Sequence, residues 1–187
     1  DGCGKYLKEQ RRLNVNTVVT TVMSNLGLYK SLEREGMKYE QTAVGDKYVA
    51  ENMMENDYSL GGEQSGHIIF SRYAATGDGI LTSLMVMEAC VEKKATLCDL
   101  AKEMKVYPQL LRNVRVADKK TARENQNVVK VVNEVAKSLG SDGRILVRES
   151  GTEPLIRVMV EAGTDEICRE NVERVVRVME AEGMIGD

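Results

Sequence analysis

The feature that most constrains this chain is the alternation of short β-branched runs with helical patterns in its first hundred residues. Residues 17–23 read Thr-Val-Val-Thr-Thr-Val-Met, which predicts a buried strand because β-branched side chains favour extended backbone. A helix is predicted over 26–35 with Gly36 after it, then a more polar strand, nearer a sheet edge, over 38–44. Such alternation predicts a three-layer α/β domain with a mixed sheet.

The remainder of this first domain, which we place at residues 1–106, is predicted to be mostly helical. Residues 6–12 have the composition of the end of a helix, and Asp46 is expected to cap another. Residues 79–94 form a helix that is apolar on nearly every side, which predicts that it is buried. The sequence Thr-Leu-Cys-Asp at 96–99 fits a capping box that opens a short helix.

A second domain is predicted after Tyr107-Pro108, because proline and the residue before it disfavour a continuing helix. We assign residues 107–112 to a linker and residues 113–187 to a smaller α+β domain. Its pattern of strand, helix, two strands and helix predicts an antiparallel sheet with helices on one face.

A polar turn lies between two apolar runs of this second domain and suits a phosphate group. Ser150 and Thr152 each offer a hydroxyl, and Gly151 allows a ligand to approach the backbone closely. Arg148 adds a planar fork that matches phosphate oxygens, and Arg157 adds a second. The alternative from the spacing alone is an ordinary hairpin loop with a surface arginine.

The glycine-rich stretch 61–67 carries a different set of polar groups. It is not a nucleotide P-loop, because His-Ile stands where Lys-Ser/Thr is required. Glu63, Ser65 and His67 offer a carboxylate, a hydroxyl and an imidazole, a set that suits sugar hydroxyls because these both donate and accept hydrogen bonds. Histidine is the side chain whose unperturbed pKa lies near neutral pH, so His67 is a candidate for proton transfer. The alternative is a packed strand histidine bound to a backbone carbonyl.

Several other polar residues are assigned structural roles. Asp78 precedes an apolar helix and is interpreted as its N-cap rather than as a metal ligand. Asp46 and Lys47 lie at a strand-to-helix junction where α/β folds place ligands, and their contact with substrate is left open. A basic cluster is interpreted as solvated surface; it comprises Arg112, Arg115, Lys119, Lys120 and Arg123.

Composition excludes several classes of protein. The formal net charge of −3, the 4% aromatic content and the absence of tryptophan argue against a nucleic-acid partner. The four cysteines have no metal-ligand spacing, so no metal ligands are assigned. No apolar run reaches membrane-spanning length, and no signal peptide is apparent. Reduced thiols in the cytoplasm are the simplest interpretation, and a homodimer is left open.

The two loops together resemble those of the α-D-phosphohexomutases. Residues 148–154 (Arg-Glu-Ser-Gly-Thr-Glu-Pro), followed by Arg157, are similar to the phosphate-binding loop in the last domain of that family. Residues 62–67 (Gly-Glu-Gln-Ser-Gly-His) are similar to its sugar-recognition loop, in which the matches to Glu63 and Ser65 hold ring hydroxyls and the match to His67 lies near the reacting end. The Glu-Gln-Ser form is most similar to the bacterial members that act on glucosamine phosphate.

The resemblance implies a reversible transfer of phosphate between the 6- and 1-positions of a hexosamine, through a bisphosphate. It covers only the C-terminal half of such an enzyme, domains 3 and 4. The family's phosphoserine and its Mg²⁺-binding Asp-rich loop belong to domains 1 and 2, which are the implied partners of this chain. The 187 residues alone are therefore expected to be inactive. The alternatives are a non-catalytic sugar-phosphate binding module and a mutase for mannose or glucose phosphates.

Overall fold

The computed structural model describes residues 1–186 and forms two compact units, Asp1–Val106 and Tyr107–Asp187. The first contains a four-stranded sheet and the second a three-stranded sheet. Each unit is built around its own buried apolar residues. The predicted fold class, an α/β domain followed by a smaller α+β domain, is confirmed.

The first unit alternates helices with strands. In chain order its elements are α1 (Gly2–Glu9), β1 (Thr17–Thr21), α2 (Leu26–Arg34), β2 (Lys38–Thr42), α3 (Asp46–Glu55), β3 (Leu60–Gly62), β4 (Ile68–Phe70), α4 (Gly79–Lys93) and α5 (Leu97–Ala101). The sheet order is β2-β1-β3-β4, in which β1 is parallel to β2 and β3 while β4 is antiparallel to β3. The sheet is therefore mixed, and the polar strand β2 lies at its edge, as predicted.

Successive residues of a strand point to opposite faces of the sheet. Both faces of this sheet carry apolar side chains, and helices cover both. Val18 packs on one side with residues of α1, α2 and α4, including Leu32 and Met85. Val19 packs on the other side with Val49 and Met53 of α3. All five residues of β1 are buried, which is the expected result for a central strand between two helical layers.

The second unit is an antiparallel sheet packed against helices. Its elements are β5 (Gln109–Arg115), α6 (Lys119–Glu124), α7 (Gln126–Leu139), β6 (Arg144–Glu149), β7 (Leu155–Glu161) and α8 (Asp165–Ala181). The sheet order is β5-β7-β6, and both pairings are antiparallel. Ile156, Val158 and Val160 of β7 are fully buried in a core that also contains residues of α7 and α8.

Three sequence predictions were wrong in detail. Residues 107–112 are not simply a linker, because β5 begins at Gln109 and pairs with β7 along its whole length. Asp46 is the first residue of the helix and not its N-cap, which is Gly45 with a φ of +135°; Asp46 Oδ1 instead accepts from the adjacent Lys47 amide, at 2.8 Å. Helix α4 buries only Met85 and Ala89, so the prediction that it is buried on nearly every side does not hold.

Other helix boundaries follow local capping chemistry. The predicted capping box is present, because the Thr96 side chain accepts from the Asp99 amide and the Asp99 carboxylate accepts from the Thr96 amide. Asp78 accepts from the Leu81 amide, which confirms its interpretation as an N-cap. Within residues 1–186, no helix is both long enough and apolar enough to cross a membrane.

A buried ion pair lies on the side of the second sheet that faces away from the helices. Glu161 is fully buried, and its carboxylate accepts from Arg144 Nε at 2.5 Å and from Gln109 Nε2 at 2.7 Å. The three residues occupy one cross-strand row, since both Gln109 and Arg144 are register partners of Glu161. Each partner therefore stabilises a charge that would be costly to bury alone.

We expect Arg144→Met to lower the free energy of unfolding by about 2–4 kcal/mol, because it leaves the Glu161 carboxylate buried without its cation. Arg174→Met is the matched control, since Arg174 pairs with Glu134 at the surface and surface pairs contribute about 0–1 kcal/mol. Urea denaturation of both variants tests this. Equal losses would show that Glu161 does not depend on Arg144.

Candidate functional site

The glycine-rich stretch 61–67 forms the turn of a β-hairpin at one end of the first sheet. Strands β3 and β4 pair antiparallel, and the Glu63 amide donates to the His67 carbonyl at 3.0 Å to close the turn. Gly66 has a φ of +102°, which a glycine adopts without steric cost. Because β3 runs parallel to β1, the turn lies beyond the carboxyl ends of both strands, where α/β sheets bind ligands.

The hairpin brings the three predicted sugar-binding side chains together. Ser65 Oγ donates to Glu63 Oε1 at 2.7 Å and lies 3.1 Å from His67 Nδ1. His67 Nδ1 is also 3.1 Å from Glu63 Oε1. The Glu63 side chain is only 10% exposed, whereas the His67 side chain is 55% exposed. His67 is therefore not a packed core histidine, and it presents a polar edge next to a carboxylate.

Two glycines allow this hairpin to pack closely. A Cβ atom at Gly62 would lie 2.7 Å from the His67 carbonyl oxygen. A Cβ atom at Gly77 would lie 3.1 Å from His67 Cβ, so the loop before α4 rests against the histidine. Gly77 was not predicted as a site residue, although it directly precedes Asp78, which was interpreted only as an N-cap.

A cavity of about 460 Å³ lies beside the hairpin. Ser24 and Asn25, which follow β1, line it together with Glu63 and Gln64. The strand ends and the hairpin thus share one cleft, as the α/β pattern predicts. Asp46 and Lys47 are not among the described residues that line it, and Lys47 Nζ instead lies 3.7 Å from Glu51.

In the second unit, Arg148 and Arg157 are direct register partners on β6 and β7, immediately before and after the predicted phosphate turn. The Nε atoms of both arginines are buried and have no hydrogen-bond partner within residues 1–186. Burial lowers the pKa of the Arg148 guanidinium, and the neighbouring charge of Arg157 lowers it further. The arrangement places two cationic groups and two unused donors at one position.

The turn between these strands is organised by Ser150, which is only 1% exposed. Its amide donates to the Leu155 carbonyl at 2.9 Å, and its hydroxyl accepts from the Glu153 amide at 3.3 Å. Gly151 and Thr152 are exposed. A Cβ atom at Gly151 would meet nothing within 4 Å, and the glycine does not have a positive φ. Any requirement for Gly151 would therefore come from a ligand and not from the turn itself.

Lys119 supports this turn and was missed in the sequence, where it was interpreted as solvated. Its ammonium group donates to the Ser150 carbonyl at 2.8 Å from the start of α6. Arg123, also assigned to the solvated cluster, lies 3.2 Å from Glu149. Arg112, Arg115 and Lys120 are exposed, as predicted. Helix α6 was not predicted, although Asp118 caps it by accepting from the Thr121 amide.

Comparison with known proteins identifies the two units. The profile described as phosphoglucomutase/phosphomannomutase, alpha/beta/alpha domain III, matches residues 3–107, and the profile of the C-terminal domain matches residues 111–178. The chain belongs to the phosphoglucomutase/phosphomannomutase family. The predicted resemblance to this family is confirmed.

Individual relatives agree with this assignment. The phosphoglucosamine mutase of Lachnoclostridium phytofermentans is 57% identical over 98% of this chain, which spans 41% of that protein. A solved N-acetylglucosamine-phosphate mutase, described as a member of the alpha-D-phosphohexomutase superfamily, has a TM-score of 0.74 at 21% identity over 94% of this chain and 41% of its own. Another, from Aspergillus fumigatus in complex with GlcNAc-6P and magnesium, has a TM-score of 0.71 at 20% identity over 95% of this chain and 44% of its own. The chain thus corresponds to roughly two-fifths of the length of these three proteins.

Magnesium, which the family resemblance implies, does not fit the donor set of these two domains. Within residues 1–186 no group of three or more histidine, cysteine, aspartate or glutamate side chains is placed to hold a metal ion. Mg²⁺ in proteins is bound through carboxylates together with water and substrate phosphates. The described residues therefore lack the clustered carboxylates that would hold Mg²⁺.

We expect Lys119→Met to loosen the turn after β6, because the Ser150 carbonyl loses the donor that holds it. Amide exchange at Glu153 and Leu155 should accelerate by about three- to tenfold, corresponding to one hydrogen bond. Lys120→Met is the matched control, since Lys120 is exposed on the same helix. Hydrogen-exchange mass spectrometry of residues 149–156 measures both. Equal rates in the two variants would contradict a supporting role for Lys119.

Proposed function

We propose that this chain is the substrate-binding C-terminal part of a phosphoglucosamine mutase. The complete enzyme would interconvert glucosamine 6-phosphate and glucosamine 1-phosphate through a bisphosphate. The observation that carries the proposal is the pair of unpartnered arginine Nε groups beside the Ser150 turn. The 57% identity to a phosphoglucosamine mutase supports the choice of sugar.

A phosphate group would accept the hydrogen bonds that the Nε–H groups of Arg148 and Arg157 do not make within the described residues. An arginine binds a phosphate through two parallel N–H···O bonds, one of which can come from Nε. Arg148 and Arg157 would each supply such a fork, and the dianion would offset the repulsion between them. The exposed Thr152 hydroxyl and the open backbone at Gly151 would provide further donors.

The hairpin of the first unit would hold the sugar. A carboxylate accepts hydrogen bonds only, whereas a hydroxyl and a neutral imidazole both donate and accept. Glu63, Ser65 and His67 therefore provide complementary partners for neighbouring sugar hydroxyls or an amino group. His67 is exposed next to Glu63, so it would also be able to exchange a proton with the reacting oxygen.

The phosphoryl donor and the metal would come from other parts of the enzyme, as the family resemblance implies. Transfer of a phosphoryl group depends mainly on position and charge, and this chain would contribute the positioning. The amino-sugar product would serve UDP-N-acetylglucosamine and cell-wall synthesis in the cytoplasm. A non-catalytic binding module would use the same groups, but high identity to enzymes favours the catalytic assignment.

Substitution of Arg148 tests the phosphate site. Arg148→Lys retains the charge but loses the fork, so the affinity for glucosamine 6-phosphate should fall by about 1.5–3 kcal/mol, roughly 10- to 150-fold. The melting temperature should not fall, because the Nε atom has no protein partner to lose. Calorimetric titration of the complete enzyme measures the effect, with Arg112→Lys, an exposed position on β5, as control. Wild-type affinity in Arg148→Lys would exclude this arginine from the site.

Substitution of Glu63 tests the sugar site. Glu63→Gln removes the charge while preserving the shape, and it replaces one acceptor oxygen with a donor. In the complete enzyme we expect kcat/KM for glucosamine 6-phosphate to fall by about tenfold or more, the loss of one charged hydrogen bond. Glu55→Gln, at the exposed end of α3, is the control. An unchanged kcat/KM in Glu63→Gln would assign a purely structural role to the hairpin.

A further inference from the structure

Helix α4 carries an apolar stripe on the side that faces away from its own sheet. The stripe consists of Ile80, Leu84, Met87 and Val91, which are 78%, 56%, 54% and 74% exposed. The spacing of four, three and four residues places all of them on one face of a helix. The buried residues Met85 and Ala89 lie on the opposite face.

Isolated apolar residues on a surface are ordinary, but a contiguous row indicates a contact. The spacing within the stripe is the one with which helices pack side by side in bundles and coiled coils. Nothing in the α/β core explains the stripe, because Met85 and Ala89 already bury the inner face of α4. Within Asp1–Val106 the stripe stays exposed, so it is available for contact with another domain.

We propose that the stripe on α4 docks against a preceding domain of the same family protein. The matching profiles describe the two units as domain III and the C-terminal domain, so the family contains further domains before them. This chain accounts for only 41% of the length of its Lachnoclostridium relative, so most of that polypeptide is available to cover the helix. The partner surface would be apolar and free of charge at its centre.

The size of the stripe favours a domain of the same polypeptide over a second copy of the chain. At 25 cal/mol per Å² and about 1.5–3 kcal/mol for a fully buried aliphatic side chain, each residue buries roughly 60–120 Å². Four such residues bury about 240–480 Å² on one side, whereas a stable protein–protein interface needs about 800 Å² per partner. Contacts between domains of one chain are smaller, about 300–750 Å² per side, because the linker keeps the partners together.

Methionine oxidation tests the proposal without any substitution in the stripe. Met87 on α4 and Met54 on α3 are both exposed methionines in helices of the same unit, so Met54 is an internal control. The two proteins to compare are the 187-residue chain and the full-length Lachnoclostridium relative in which this chain replaces the matching segment. Each is treated with dilute hydrogen peroxide, and sulfoxide formation at both positions is followed by mass spectrometry.

In the 187-residue chain, Met87 and Met54 should oxidise at similar rates. In the full-length protein, oxidation of Met87 should slow by about tenfold or more while that of Met54 is unchanged, because only buried methionines are protected. An unchanged ratio of the two rates would overturn the proposal. Protection of Met87 already in the 187-residue chain would also overturn it; a dimeric sedimentation coefficient would then identify a second copy as the partner. No outcome depends on mutase activity, so the proposed function is tested separately.

Discussion

The second unit must hold two guanidinium groups, those of Arg148 and Arg157, side by side on neighbouring strands. Like charges directly opposite each other destabilise a sheet, and the buried Nε atoms of Arg148 and Arg157 add a cost because they lack partners. Burial together with the nearby charge of Arg157 lowers the pKa of Arg148. The opposite face of β7 offsets these costs, since Ile156, Val158 and Val160 are fully buried there. The stabilising face thus allows β7 to hold this cationic pair, in which Arg157 also lies 3.5 Å from the Glu153 carboxylate.

The first unit likewise combines a buried scaffold with an exposed polar turn. Strand β1 is buried along its whole length between two helical layers, and the neighbouring β3–β4 hairpin projects its polar turn beyond that support. Gly62 and Gly77 allow the chain to pack closely against the backbone and Cβ of His67, while the His67 side chain stays 55% exposed. Glu63, the least exposed member of the trio, connects Ser65 and His67 through one carboxylate oxygen. Rigid scaffolds with polar groups on their loops are the usual way in which α/β domains carry function.

The sequence alone predicted those features that depend on residues close together in the chain. Both loops could be located because their glycine, hydroxyl and arginine residues are close together in the chain, and the strand pattern placed them at sheet ends. Helix α4 was misjudged because its composition shows that it is apolar but not which partner covers each face. Lys119 was missed because its contact with Ser150 joins residues 31 positions apart. Pro108 correctly ended the first domain's helical pattern, but the start of β5 at Gln109 depends on pairing with the distant β7.

The central claim is that the unpaired Nε–H groups of Arg148 and Arg157 are phosphate donors. Their ¹⁵N and ¹H resonances can be followed by NMR while glucosamine 6-phosphate is added to the complete enzyme, with glucosamine as the ligand that lacks phosphate. The account predicts that both Nε–H resonances shift downfield and become protected from exchange with the phosphorylated ligand only, as charge-assisted hydrogen bonds form. Resonances of the Glu63 hairpin that respond while both Nε–H signals stay unchanged would contradict it.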